Sequence, residues 1–219
     1  FSDLAAFALS RENAAQKYER SCYCLFVKGE QTKSLILESA LKLVSVEGLG
    51  AVSIGRLAKS VGLSKSGLFA HFKSKDALQE EVLERASNEF VANVVRPALK
   101  KPRGIPRLQA IFDNWLRWAS SGRLPGGCIF VGAAVELDDK PGPLRDFLVK
   151  TQKDWVATLA TAAALAIDEG HLPKTVAPEQ IAFELYGIMM SYHLYKRLLG
   201  DRQARSKAQD ACARLLGAA

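Results

Sequence analysis

The stretch VSIGRLAKSVGLSKSGLFAHFKSKDA, residues 52–77, decides the fold of this chain. Its apolar residues recur at helical spacing in two short segments, 53–60 and 65–72, which we predict to be amphipathic helices. Gly62 lies between them, where one helix must end and the chain must turn, because glycine adopts positive φ without a Cβ clash. The stretch therefore predicts two helices joined by a tight turn.

Two N-cap residues support these helices, and Ala58, Gly62 and Leu68 together favour a steep crossing between them. Ser53 and Ser64 occupy N-cap positions, where a hydroxyl group accepts a backbone N–H bond. Ala58 is small enough to lie at the crossing, and Leu68 provides an apolar side chain that fills it. We expect the buried side of the second helix to consist of Leu68, Phe69 and Phe72.

The exposed face of the second helix is short, polar and cationic. Residues 32–76 carry seven Lys and Arg against three Asp and Glu, so this small unit has a charge of about +4. Such a surface is typical of contact with phosphates and base edges. The pattern predicts a DNA-binding helix-turn-helix, and the alternative is an ordinary helical hairpin with a solvated basic face. The exposed residues are Lys65, Ser66, Gly67, His71, Lys73 and Lys75.

Two segments together resemble the TetR/AcrR family of transcriptional regulators. They are T-x-x-L-I-L-E-x-A-L-x-L-V-x-x-E-G at 32–48 and V-S-I-x-x-L-A-K-x-V-G-L-S-K-S-G-L-F-A-H-F-K-S-K-D-A-L at 52–78. The resemblance implies an all-α fold, with an N-terminal three-helix helix-turn-helix domain and a C-terminal helical domain for ligand binding and dimerisation. It also implies a homodimeric repressor that leaves a palindromic operator when a small apolar ligand binds. The family often has Tyr where Phe69 stands, and Phe69 lacks the hydroxyl group that would reach a phosphate.

Candidate contacts to double-stranded DNA come from the exposed positions. We expect the second helix to enter the major groove, with half-sites about one helical turn or slightly more apart. Lys65, Ser66 and Gly67 are predicted to contact bases, Gly67 by allowing close backbone approach. The resemblance places His71 and Lys75 at positions that commonly touch the DNA backbone. The full set of predicted phosphate contacts is Thr32, Ser53, His71, Lys73 and Lys75.

Composition is compatible with a polyanionic partner in the cytoplasm. The 219 residues carry a net charge of +7 and are 48% hydrophobic, enough for one small and one medium domain. No run is long and apolar enough to span a membrane, and the first residues lack a signal-peptide core. Four scattered cysteines are not a disulfide framework, which favours a reducing compartment. We expect no membrane association, no cofactor and no metal.

The sequence shows no pattern expected of an enzyme. It has no Ser/His/Asp or Cys/His arrangement, no phosphate-binding glycine loop and no His-rich metal spacing. A ligand-responsive DNA-binding regulator is therefore the preferred interpretation. The alternative is a ligand-independent DNA-binding or architectural protein of the same fold, which would show no pocket and no effector-dependent release.

The chain is predicted to divide into three parts. Residues 1–31 form an extension, either a loose arm or an additional helix, and 32–77 form the DNA-binding domain. Residues 78–219 form the regulatory and dimerisation domain. We expect Thr32 to cap the first helix, and Pro97 to stop the helix that follows the DNA-binding domain before a linker rich in proline and glycine.

Five helices are predicted after this linker, of which the last two form the candidate dimer interface. Residues 128–137 are nearly all apolar and are expected to form a buried helix. Helix 176–199 has two apolar stripes, and helix 202–216 has a small-residue face suited to close contact. Two copies of this pair would make a four-helix bundle between subunits. The alternative is that both faces belong to the core of one subunit.

Ligand-binding residues are predicted from aromatic and polarizable side chains in the C-terminal part. Such side chains suit an apolar pocket, and the alternative for each is an ordinary place in the core. His193 is the best polar candidate, since it would orient a ligand or satisfy a buried hydrogen bond. The predicted set is Phe112, Trp115, Phe130, Trp155, Tyr186, Met190 and His193.

An acidic group at Glu136, Asp138 and Asp139 has two interpretations. It belongs to GGCIFVGAAVELDDKPGPLRD, residues 126–146, which also resembles a C-terminal pattern of one branch of TetR-like regulators. A hard cation needs about six oxygen ligands in a shaped loop, which makes a metal site the weaker interpretation. We expect these acids instead to cap the next helix and to pair with Arg145.

Overall fold

The computed structural model describes residues 29–217, so nearly all of the predicted extension 1–31 lies outside the described residues. Within that range all the regular secondary structure is helical, as the sequence predicts, and a 3-10 turn at Leu49–Ala51 separates the first two helices. The helices are α1 (29–47), α2 (Ile54–Ser60), α3 (Lys65–Phe69), α4 (Lys75–Phe90), α5 (Arg96–Leu99), α6 (Ile105–Ala119), α7 (Ile129–Leu137), α8 (Pro143–Asp168), α9 (Pro178–Arg197) and α10 (Ala204–Leu215).

Helices α1–α3 form the N-terminal unit, whose local structure follows the predicted capping and turn residues. The hydroxyl oxygen of Ser53 accepts the N–H of Arg56 at 3.3 Å, and that of Ser64 accepts the N–H of Gly67 at 3.0 Å. Gly62 has a φ of 69°, which confirms the turn predicted from its lack of a Cβ atom. Both helices contribute buried side chains to the contact between them, including Leu57, Ala58 and Leu68.

Three details of this unit differ from the prediction. Thr32 lies inside α1 rather than at its N-cap, and α3 ends at Phe69 rather than at residue 72. Phe69 is 51% exposed instead of buried. Successive helical residues are rotated by about 100°, so Phe69 shares a face with Lys65 and Ser66, four and three residues earlier, while Leu68 points to the core.

The helix after the N-terminal unit does not stop at Pro97. Helix α4 continues through a π-helical turn, Val91–Val95, into α5, where Pro97 occupies the first turn. Proline is tolerated there because a first-turn residue needs no N–H partner within its helix. The side chain of the buried Asn114 donates a 2.8 Å hydrogen bond to the carbonyl of Val94 in the π turn. The actual break comes at 100–104, where Gly104 has a φ of 90°.

Helices α6–α10 form the C-terminal bundle. Helix α9 packs between α8 and α10, and α6 contacts both α8 and α9. Helix α7 is not fully buried as predicted: Gly132 and Ala134 are exposed, and Val135 is 76% exposed. Apolar residues occur on all sides of α7, but the helix lies near the surface and buries only one side against its neighbours. The buried residues are Ile129, Phe130, Ala133 and Leu137.

The acidic group at the end of α7 does not cap α8 as predicted. The N-cap of α8 is Gly142, without a side-chain hydrogen bond. Arg145 donates from Nε to the backbone oxygen of Asp138 at 2.9 Å, so it contacts the main chain and not a carboxylate. Among residues 29–217, no helix has the length and hydropathy needed to cross a bilayer.

Candidate nucleic-acid interface

The outer surface of α3 is open to solvent. Lys65 and Ser66 are exposed, and Gly67 is half-buried beside the hydroxyl of Ser64. A Cβ atom on Gly55 of α2 would lie 2.9 Å from Cε of Lys65, so the aliphatic stem of Lys65 crosses α2 at a residue without a side chain. This support holds the stem of Lys65 in place while its ammonium group forms no ion pair within residues 29–217.

The cations of this unit fall into two groups. Lys33 pairs with Glu81 at 2.7 Å, Lys42 pairs with Glu38 at 3.2 Å, and the guanidinium of Arg56 binds both carboxylate oxygens of Glu47. The remaining cations have no acidic partner among the described residues, so they are available to a polyanion. These are Lys59, Lys65, Lys73 and Lys75.

The 3-10 turn before α2 is fixed by side chains from outside the N-terminal unit. Glu136 of α7 accepts the N–H groups of Leu49 and Gly50 at 2.7 and 2.6 Å. From α4, Gln79 donates to the carbonyl of Leu49 at 2.6 Å, and Lys75 donates to the carbonyl of Gly50 at 3.1 Å. Lys75 is exposed, so it reaches the edge of this turn from the surface. The turn that precedes α2 is therefore connected directly to α4 and α7.

A second junction joins the loop before α7 to the end of α1. The N–H of Gly126 donates to the hydroxyl of Ser45 at 3.1 Å. A Cβ atom on Gly126 would lie only 1.5 Å from the carbonyl oxygen of Ser45, so the two backbones approach as closely as glycine allows.

A partly open cavity of about 160 Å³ lies between α4, α6, α7, α8 and α9. Phe90 lines it and makes edge-to-face contacts with Phe130 and Trp155, at ring-centroid distances of 5.8 and 4.8 Å. The structure brings four of the seven predicted ligand residues to this cavity. They are Trp115, Phe130, Trp155 and Tyr186. The sequence prediction did not include Phe90, Val91, Val95, Cys128 and Gln152, which also line it.

The polar groups in the cavity wall are mainly uncharged. The hydroxyl of Tyr186 donates to Oε1 of Gln152 at 2.6 Å, and burial, with a smaller contribution from Cys128, raises the pKa of Tyr186 to about 12. Burial also raises the pKa of the Cys128 thiol, which therefore stays protonated and unreactive. Asp154 lies at the edge of the cavity with its side chain 66% exposed, and its carboxylate pairs with the ammonium group of Lys150 at 3.0 Å. Within residues 29–217, Nε1 of the buried Trp155 has no hydrogen-bond partner.

The other three predicted ligand residues lie outside the cavity wall. Phe112 is buried in the core of the C-terminal bundle, and Met190 packs against that core. The ring of His193 lies against the loop before α7, where a Cβ on Gly127 would be 2.6 Å from Nε2. Burial, and secondarily Arg197, lowers the pKa of His193, so the ring is mainly neutral near pH 7.

Helices α9 and α10 leave an open groove of about 820 Å³ on one side of the molecule. Ile188 and Tyr195 line it, whereas Ile181 and Leu185, also in α9, are buried inside the subunit. Large apolar side chains also remain exposed near the end of α9. They include Leu194, Leu198 and Leu199, at 48%, 76% and 59% exposure.

Two family models match this chain. The model described as bacterial regulatory proteins, tetR family, covers residues 36–82, and the model described as Tetracyclin repressor-like, C-terminal domain, covers residues 104–212. The chain belongs to the TetR/AcrR family of transcriptional regulators. This confirms the family that the motif predicted. As a TetR/AcrR member the protein is a DNA-binding transcription regulator and not an enzyme.

Relatives of this TetR/AcrR protein match it over different lengths. The regulator AcrR of Shigella flexneri is 35% identical over 63 residues, which is 29% of each chain, so the match spans less than a third of that relative. The regulator EthR of Mycolicibacterium smegmatis is 25% identical over 179 residues, 80% of this chain and 78% of that relative.

Two solved structures show the same TetR-family fold. A TetR transcriptional regulator from Chloroflexus aurantiacus has a TM-score of 0.76 at 23% identity, covering 87% of this chain and 94% of that chain. AibR in complex with isovaleryl coenzyme A and operator DNA has a TM-score of 0.71 at 21% identity, covering 84% of this chain and 98% of that chain. At these identities the likeness concerns the fold alone.

Proposed function

We propose that this TetR-family protein is a homodimeric repressor that binds a palindromic operator and leaves it when a small ligand fills the cavity. The observation that carries the proposal is the outer face of α3, where Lys65 and Ser66 are exposed and Lys65 has no ion pair among residues 29–217. Each subunit would place α3 in a major groove, with the two half-sites about one helical turn or slightly more apart.

Base recognition is assigned to the face of α3 that points away from the core. Lys65 is suited to guanine O6 and N7, Ser66 to several base edges, and Gly67 to close backbone approach. We add Phe69 to this face because its phenyl ring is 51% exposed and has no hydrogen-bonding group. An exposed apolar ring in the major groove is suited to the methyl group of thymine.

Phosphate contact is assigned to residues around α3. Lys73 and Lys75 are exposed, and His71 is half-buried in the turn after α3. Ser53 and Thr32 also belong to the proposed phosphate contacts. The hydroxyl oxygen of Ser53 caps α2, and its hydroxyl proton can donate to a phosphate. Contacts of this kind fix register on the duplex without reading sequence.

The two roles predict different effects for two lysine variants. Lys65→Ala is expected to weaken binding to the preferred half-site by about 1–3 kcal/mol and to relax preference at the base it contacts. Lys75→Ala is expected to weaken all duplexes by a similar factor, because phosphates are common to every sequence. Competition binding against a library of half-site variants measures both, with Lys153→Ala on the exposed face of α8 as a control. Parallel losses in the two variants would contradict the assignment.

Dimerisation is proposed through the groove between α9 and α10. The exposed side chains at the end of α9 are large and apolar, and such a surface on a soluble protein marks an interaction site. Pairing with a second copy across a two-fold axis would form a four-helix bundle and would cover Ile188 and Tyr195.

Selection of bound fragments from genomic DNA, with sedimentation analysis of the complex, tests the function as a whole. Monomers, or fragments without a shared inverted repeat, would contradict it.

The cavity supports a ligand of small size and no charge. Its volume of about 160 Å³ is close to the roughly 150 Å³ of an engineered cavity that holds benzene. Among residues 29–217, no cationic side chain lines it, so the carboxylate of an anionic ligand would be desolvated without a partner. A carbonyl or ether oxygen would provide the acceptor that the Trp155 N–H lacks. We therefore propose a neutral molecule of about one aromatic ring with a hydrogen-bond acceptor.

This ligand class predicts a selective thermal shift. Acetophenone, at about ten times its dissociation constant, is expected to stabilise the protein by about 1.4 kcal/mol and to raise Tm by about 4 °C. Benzoate has a ring of the same size with a negative charge and is expected to give no shift. Differential scanning fluorimetry measures both, and Ser87→Leu, which occupies space in the cavity wall, should remove the response. Equal shifts for the two compounds would contradict a neutral ligand.

A further inference from the structure

Glu136 connects the C-terminal bundle to the turn that precedes the DNA-binding helices. Its carboxylate accepts two backbone N–H groups, from Leu49 at 2.7 Å and from Gly50 at 2.6 Å. A Cβ atom on Gly48 or Gly50 would lie 2.8 Å from a carboxylate oxygen, so glycine on both sides of Leu49 leaves the space that the carboxylate occupies. Two short hydrogen bonds to one ionised group are stronger than neutral ones.

The same turn is held from the opposite direction by α4. The backbone carbonyls of Leu49 and Gly50 accept hydrogen bonds from Gln79 and Lys75. All four polar backbone groups of these two turn residues are therefore bound by side chains outside α1–α3. Helix α4 leads to Phe90 in the cavity wall, and α7 begins beside the same wall with Phe130. The turn is thus the meeting point of two helices that both reach the cavity.

The position of the turn determines the direction of α3. Helix α2 begins three residues after Ala51, and α3 follows α2 through the tight turn at Gly62. A shift of the turn against α7 would therefore rotate α3 relative to the C-terminal bundle. In a two-fold dimer that rotation changes the distance between the two recognition helices.

We propose that Glu136 is a positioning residue that sets the half-site spacing this protein accepts. The proposal rests on the dimer proposed above. Glu136 touches no base or phosphate in this assignment; it acts by holding the Leu49–Ala51 turn against α7.

Two variants disturb this contact from opposite sides. Glu136→Gln keeps the size of the side chain, but it has only one acceptor oxygen for two N–H groups. Gly50→Ala places a methyl group 2.8 Å from Oε1 of Glu136. Gly50 does not have positive φ, so alanine is compatible with its backbone. Asp138→Asn is the control, because it removes the same charge from an exposed residue of the same segment.

The readout is binding to duplexes that carry two selected half-sites at a series of separations. The wild-type protein and Asp138→Asn are expected to lose about tenfold in affinity when the separation departs from its optimum by two base pairs. Glu136→Gln and Gly50→Ala are expected to lose less than about threefold, and combining them should add little, because both remove one contact. In NMR spectra of the unbound protein, the amide protons of Leu49 and Gly50 should move upfield in Glu136→Gln, and that of Leu49 should move upfield in Gly50→Ala.

The outcomes separate this inference from the proposed function. A wild-type spacing preference that persists unchanged in Glu136→Gln and Gly50→Ala would overturn the role of Glu136 and leave the dimer intact. A wild-type protein that binds all separations equally would overturn the two-fold dimer, and this inference with it. Unchanged Leu49 and Gly50 amide shifts in Glu136→Gln would show that the contact does not form in solution.

Discussion

Gly126→Ala is expected to destabilise the protein by about 3 kcal/mol, at the upper end of the cost of overpacking. The new Cβ atom would lie 1.5 Å from the carbonyl oxygen of Ser45, 2.0 Å from its carbonyl carbon and 2.5 Å from the nitrogen of Val46. These are backbone atoms of α1, so no side-chain rotation relieves the overlap. The loop before α7 must move away from α1, and the hydrogen bond from the Gly126 N–H to the Ser45 hydroxyl is lost.

Urea unfolding followed by tryptophan fluorescence measures this loss at a fixed protein concentration, since dimer stability depends on concentration. Gly132→Ala is the matched control. It lies three residues into α7, where an added Cβ meets nothing within 4 Å. Alanine in a helix interior is expected to stabilise by about 0.5–1 kcal/mol relative to glycine. A Gly126→Ala protein as stable as the wild type would disprove the close backbone approach.

Affinity for operator DNA is expected to fall about 10³–10⁵-fold between 50 and 200 mM salt, the range for proteins that neutralise six to ten phosphates. Four cations around α3 have no acidic partner among residues 29–217, so a dimer would present about eight to the duplex. Each phosphate contact releases counterions on binding, and the entropy gained by that release falls as the salt concentration rises. The loss is therefore steep and independent of sequence.

Lys73→Ala tests the source of this salt dependence. It removes one exposed cation per subunit, so the slope of log K against log salt should decrease in magnitude by about 2 for the dimer. Lys42→Ala is the control within the same unit, because Lys42 is already paired with Glu38 at 3.2 Å. Fluorescence anisotropy at four salt concentrations gives both slopes. A slope that decreases equally in the two variants would contradict the division between paired and available cations.

Local sequence was sufficient for the recognition unit because its determinants act over a few residues. A serine hydroxyl caps a helix by reaching an N–H three residues later, and Gly62 turns the chain through its own φ. The same reasoning gave the family, since the motif is contiguous. It failed for Phe69 because apolar character alone does not say which face of a five-residue helix meets the core.

Two errors in the C-terminal part have the same origin. The apolar segment 128–137 was expected to be buried, yet Val135 is 76% exposed, because burial depends on how many neighbours surround a helix. Pro97 was expected to stop a helix, yet a π-helical turn places it where no N–H is needed. No local sequence pattern predicts which helices surround α7 or where the π-helical turn forms.

The sequence by itself determined the helices, the turn at Gly62, the cationic face of α3 and the family, because each depends on residues close together in the chain. Only the tertiary structure decided that Glu136 binds Leu49 and Gly50, 86 or 87 residues away, and that Gly126 meets Ser45. It also decided which aromatic side chains line the same cavity. These contacts depend on how α4, α7 and α8 pack. Packing depends on the fit between side chains from distant segments, so it cannot be predicted from any one segment alone.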